Sequence, residues 1–201
     1  LSSGGGGPAT PKLPESKHSF SKITPGTPVI MQVADSEIGV KQIQINVNNQ
    51  ANNVQVTVTK YDGKPAEVSV AKSGKIYQYL QIDAQNLGTN LDKATVQFRG
   101  EKSWASSNGL NKDKISVYKY DGRWNELQTT FAAEDSQYYY YDVELDSFSF
   151  FVIGEGAVTA PGETAPGGTA EGRSLLWLWI LIALVIVIVV WRMMRKRQVA
   201  A

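Results

Sequence analysis

Cysteine is absent from all 201 residues, and histidine occurs once, as His18. The first absence excludes disulfides, thiol catalysis and Cys-ligated zinc. It also argues against a small secreted scaffold of the kind held together by disulfides. With a single histidine, placed in an N-terminal stretch that reads as linker, no Ser-His-Asp or Cys-His arrangement assembles on a folded domain. His/Cys metal sites are excluded in the same way. A phosphate cradle is missing too, since Gly4 to Gly7 neither follows a strand nor opens a helix with Lys-Ser/Thr. No Asn-x-Ser/Thr sequon occurs, so N-glycosylation of the usual kind is not expected. Positive charge is scarce where a nucleic-acid binder would need it. Of 20 Lys and Arg, five (Arg173, Arg192, Arg195, Lys196 and Arg197) flank one apolar run, while all 19 acidic residues lie upstream of them. A mildly acidic domain with a basic tail is no nucleic-acid footprint. The chain opens on Leu1 with no charged, apolar leader, and is therefore expected to be a processed or truncated product.

Apolarity is concentrated in that one run. Leu175 to Trp191 contains no charge, Pro or Gly. Extended through Met194 it makes about 20 residues, or ~30 Å of helix, enough for a hydrocarbon core. The span is read as 174–194, with Leu175, Leu184 and Val190 in its apolar length. Trp177 and Trp179 near one end and Trp191 at the other stand where aromatic belts form. Arg192, Arg195, Lys196 and Arg197 follow the span and only Arg173 precedes it, so the positive-inside rule places the tail 195–201 in the cytoplasm and the rest outside. The expected location is the cell membrane, single-pass, with the lipid bilayer as a partner.

Residues 1–20, rich in Gly, Ser, Pro and Lys, read as a flexible linker, which implies something attached before it. From 21 to 154 apolar and polar residues alternate: Ile43, Ile45 and Val47; Val54, Val56 and Val58; Val96 and Phe98; Phe148, Phe150 and Val152. Period two predicts antiparallel strands with one face on a core. Asp62-Gly63, Ser73-Gly74, Asn108-Gly109 and Asp121-Gly122 supply turns. The expected fold is an all-β antiparallel β-sandwich of about eight or nine strands, plus the C-terminal transmembrane helix. One helical turn is expected at Ser103 to Asn108, with Ser103 as cap and Gly109 as left-handed exit. Lys60-Tyr61-Asp62-Gly63 recurs as Lys119-Tyr120-Asp121-Gly122, which reads either as a duplicated half, one per sheet, or as two convergent turns. Residues 155–173 return to Thr, Ala, Pro and Gly and read as a stalk, ~24 Å in reach as a flexible chain, either bare or O-glycosylated.

Chemistry is sparse. Paired carboxylates are the one enzymatic option left, with candidates such as Asp142, Glu144 and Asp146, which alternate along one predicted strand and face solvent together with no pocket implied. Oxygen-rich stretches at Asp83 to Asn90 and Glu134-Asp135-Ser136 match no calcium spacing and read as solvated turns. In the run Tyr138 to Tyr141 two rings must point inward, and Trp104 and Trp124 are expected to pack. Tyr138 and Tyr140 are the rings that a carbohydrate would stack on. No catalytic residue, cofactor or metal is expected.

The stretch from Ile23-Thr24-Pro25-Gly26 to Ile153 resembles the archaeal PGF-pre-PGF domain of surface and S-layer-type proteins. The matching pieces are Ile76 to Ile82, Ala94 to Phe98, Lys102-Ser103-Trp104, Val117 to Gly122, Trp124 to Leu127, the four tyrosines, and Phe148 to Ile153. The resemblance implies an archaeal envelope location and a membrane-proximal structural module that anchors or spaces surface machinery. Its partners would be other envelope or S-layer proteins or surface glycans, and adhesion or carbohydrate binding is the alternative role. Two departures matter. Asp146-Ser147 stands where that family has Pro-Gly, and no Pro-Gly-Phe precedes the span, because Glu163 follows Pro161-Gly162 and Gly168 follows Pro166-Gly167. The span is therefore expected to be retained.

Overall fold

The computed structural model describes residues 13–157. Eleven strands form two antiparallel sheets, with one short α-helix and two single-turn 3-10 helices. In chain order they are β1 (Glu15–Ile23), β2 (Val29–Gln32), β3 (Val40–Val47), β4 (Ala51–Tyr61), β5 (Ile76–Gln85) and β6 (Leu91–Glu101). After α1 (Lys102–Ser107) come β7 (Ile115–Tyr120), β8 (Trp124–Glu126), β9 (Thr130–Glu134), β10 (Tyr138–Leu145) and β11 (Phe150–Glu155). The six-stranded sheet runs β1-β4-β5-β11-β7-β8 and the five-stranded sheet β2-β3-β6-β10-β9. This is the sandwich that the alternation predicts. Ile43, Ile45, Val54, Val56, Val58, Val96 and Phe98 all turn inward and are fully buried.

The count exceeds eight or nine because β2, β8 and β9 are short edge strands whose exposed sides blur the alternation. The linker boundary also moves. Residues 15–20 belong to β1, and His18 pairs with Val56 instead of lying in a linker, its ring 4.5 Å from Phe20. An edge strand with only Phe20 and Ile23 turned to the core has a composition hard to tell from a polar linker. At the other end Glu155 closes β11, so the strand takes the first residue assigned to the stalk. Among the described residues no helix is long and apolar enough to cross a membrane. The run Leu175 to Trp191 and the basic residues Arg192, Arg195, Lys196 and Arg197 lie outside the described residues.

α1 forms at the expected place, and Gly109 leaves it at φ +65°. Ser103 does not cap it. Glu101 holds the N-cap position, and the Ser103 hydroxyl inside the first turn donates to the Glu101 carboxylate at 3.2 Å. The two Lys-Tyr-Asp-Gly segments end β4 and β7, which lie in the same sheet, so a repeat of one copy per sheet is ruled out. Their turns also differ. Gly122 takes φ +68° in a tight connection that sets Tyr120 against Trp124, whereas Gly63 begins the long connection 62–75.

That connection alters the reading of β11. Phe151 and Ile153, not Phe150 and Val152, face the main core, while Phe148, just before the strand, packs against that core as the alternation predicts. Val152 faces outward, yet it is fully buried in a second cluster with Tyr79 and Tyr118, against which Tyr61, Ile76 and Trp124 pack. Residues 62–75 strap this cluster: Ser69 shares a 2.7 Å hydrogen bond with the Tyr120 hydroxyl, and the Trp124 indole N–H donates to the Val70 carbonyl at 2.8 Å. A central strand covered on both faces loses its period of two.

The segment 33–39 is pinned by the two buried polar side chains among the described residues, one from each sheet. Gln78 on β5 accepts from the Gly39 amide at 2.5 Å and donates to the Glu37 carbonyl at 2.8 Å. Arg99 on β6 donates to the carbonyls of Ile38, at 2.9 Å, and Asp35. Each satisfied group avoids the roughly 1–3 kcal/mol that an orphaned buried partner costs. The chain enters β1 and leaves β11 toward one pole: Glu15 faces Thr59 near the end of β4, and Gly154 faces Ile76 at the start of β5.

Candidate functional site

The outer face of the five-stranded sheet collects the polar members of the alternating strands. Register places Gln32, Gln42, Gln97 and Asp142 opposite one another in succession across β2, β3, β6 and β10. The row is hydrogen-bonded at both ends, Gln32 donating to Gln42 at 3.0 Å and Gln97 to Asp142 at 2.9 Å. Beside it Gln44 faces Thr95, and Thr95 faces Glu144. Amides offer donors and acceptors together, so a flat row of them matches sugar hydroxyls or another amide row equally well.

The tyrosine run divides as its spacing requires. Tyr141 is fully buried and Tyr139 packs on the core, while Tyr138 and Tyr140 turn to the outer face with ring centroids 6.3 Å apart. Tyr140 is only 7% exposed. Its hydroxyl donates to Asp135 at 2.5 Å, and the Lys41 ammonium sits 4.2 Å from its ring centroid. Burial and the Asp135 carboxylate push the Tyr140 phenol up to about 12. In return the Tyr140 hydroxyl, with the Tyr138 and Gln137 amides, pulls Asp135 down to about 2. Both groups therefore keep their charge states across the neutral range, and the pair works as a clamp on the β9–β10 turn. Tyr138, half-buried and 5.4 Å from the Arg99 guanidinium, is the ring left for stacking.

The other sequence candidates disperse. Asp142 is bound to Gln97, Glu144 to Lys93 at 2.8 Å, and Asp146 to Lys119 at 2.8 Å across the sheets. Three carboxylates with three separate partners do not converge on a substrate. Lys119, Asp121, Glu144 and Asp146 line an open groove of about 520 Å³ instead. Among the described residues no three His, Asp or Glu side chains gather as metal ligands, and Asp135 spends its oxygens on its own turn.

Comparison with known proteins adds no assignment. No protein-family model matches this sequence, and a search of curated proteins finds no relative.

Trp104 stacks on Tyr77 at 5.2 Å and Trp124 on Tyr79 and Tyr120 at 5.9 and 5.2 Å, so both tryptophans pack. A second cleft, about 580 Å³, opens beside Trp124 between Val70, Lys72, Tyr118 and Arg123. Sequence reasoning missed it, because Lys72 reaches Tyr118 only through the strap, its ammonium 4.0 Å from the ring centroid. Burial there lowers the Lys72 pKa, against the opposing pull of Glu126 and Glu155.

Proposed function

We propose that this chain is a membrane-anchored surface module, without enzymatic activity, that holds a β-sandwich outside an archaeal cell and spaces envelope proteins. The uncharged run Leu175 to Trp191, closed by Arg192, Arg195, Lys196 and Arg197, carries the reading, because such a segment is too apolar to be stable outside lipid. The resemblance to PGF-pre-PGF domains supports the envelope setting. The geometry supports a spacer: candidate reactive groups are spent on internal bonds, and a cysteine-free sandwich of this size closes its own core. The reading is tested by alkaline carbonate extraction of membranes from cells making the full chain or a chain ending at Gly172. The full chain is expected in the pellet and the shortened one in the supernatant; release of both by carbonate would refute the anchor.

A glycan-binding face is the second reading, favoured by the amide row beside Tyr138. Saturable binding on a glycan array, weakened about tenfold or more when Tyr138→Ala removes one stacked ring, is its expected result. A flat response from the unaltered chain would leave only the spacer.

A further inference from the structure

The two sheets expose four edges among the described residues, and three are protected against pairing with another chain. β1 carries Glu15, Lys17 and Lys22, β8 is three residues long, and β9 is interrupted at Ala132 by a bulge and ends on Glu134. Charges, brevity and bulges are the usual defences of an edge. β2, four residues long, is short too, but it carries neither charge nor bulge. Val29 to Ala34 contains no charge, its pairing with β3 is regular, and Ile30 stands 49% exposed on it. The Val33 amide donates inward to the Lys41 carbonyl at 2.9 Å. By alternation Met31 also bonds inward, so the amides and carbonyls of Ile30 and Gln32 point away from the sheet.

We propose that β2 is a docking edge for a second copy of this chain, the two β2 strands pairing antiparallel about a two-fold axis with Gln32 opposite Gln32. A second copy suits this edge better than an unrelated strand because the amide row ends there. In that register Asp142, Gln97, Gln42 and Gln32 of one molecule continue into the same four residues of the other, donor to acceptor. No like charges meet at the junction. Ile30 of each copy is set against Ala34 of the other, a small residue that leaves room for it. The result is one ten-stranded sheet. A five-residue ladder buries far less than the roughly 1,200 Å² of a stable complex. Pairing is therefore weak between free molecules and strengthened when copies are held side by side.

The absence of cysteine makes the test direct. The full chain carrying Gln32→Cys is oxidised in one detergent solution beside chains carrying Lys17→Cys on β1 or Thr130→Cys on β9. Facing residues of a hydrogen-bonded antiparallel pair have Cα atoms about 5.5 Å apart, within disulfide range. Disulfide-linked dimer is expected to form at least about tenfold faster from Gln32→Cys than from either control, the preference that such proximity gives. Adding Ile30→Lys, a change at an exposed position that leaves thermal unfolding in place, is expected to return the rate to that of the controls. Equal rates at all three positions, or a Gln32→Cys rate indifferent to Ile30→Lys, would overturn the proposal. The comparison is internal to one solution, so it does not depend on the membrane reading.

Discussion

Gly39→Ala is expected to destabilise the domain by about 3 kcal/mol, combining overpacking with loss of a buried hydrogen bond. The cause is steric rather than conformational, because Gly39 does not occupy the left-handed region. A Cβ there would lie 2.7 Å from both Gln78 Oε1 and Ile153 Cδ1. Ile153 is fully buried and cannot retreat. Gln78 retreats only by giving up the Gly39 amide and the Glu37 carbonyl, which leaves buried partners unpaired. In thermal unfolding of the chain this corresponds to a fall of roughly 10 °C in Tm. Gly63→Ala, where a Cβ meets nothing within 4 Å, is the matched control and should leave Tm nearly unchanged. A Gly39→Ala protein as stable as its parent would mean that segment 33–39 is not pinned as described.

Phe98→Ala is expected to cost more, about 4 kcal/mol. Phe98 on β6 and Phe151 on β11 are both completely buried, and their rings meet across the two sheets at 5.8 Å with an interplanar angle of 48°. Truncation removes a large apolar side chain and leaves a cavity that neither sheet can close without bending. Urea unfolding of Phe98→Ala, Phe151→Ala and the double variant should give a cycle that falls short of additivity by about 1 kcal/mol, the coupling of two aromatic rings beyond their area. Strict additivity would show that the sheets are joined elsewhere.

The sandwich was legible where strands are buried on one face only, as in Ile43-Ile45-Val47 and Val54-Val56-Val58, because there hydropathy reports the pleat. It was illegible for two physical reasons. β1 pairs through its backbone while most of its side chains meet water, so its composition looks like linker. β11 is covered on its outer face by residues 62–75, and a strap of Lys, Pro, Ser and Gly announces nothing of what it covers. The inward pair within the tyrosine run followed from period two alone. The capture of Tyr140 by Asp135 and Lys41 did not, since Lys41 is 99 residues away in sequence and arrives at the ring only through the register of β3 on β6 and β6 on β10.

The shared pole of β1 and β11 has a mechanical meaning. Tension drawn between Glu15 and Glu155 is directed across the sheet and back along β1, not out along its axis. Inter-strand hydrogen bonds lie perpendicular to the strands, so this pull loads them one pair at a time, beginning with the bond from the Lys60 amide to the Pro14 carbonyl. β1 would peel from β4 like tape, yielding length at low force while the rest of the sandwich stays shut. A domain built this way acts as a compliant joint under traction, and it gives way at its edge before its core.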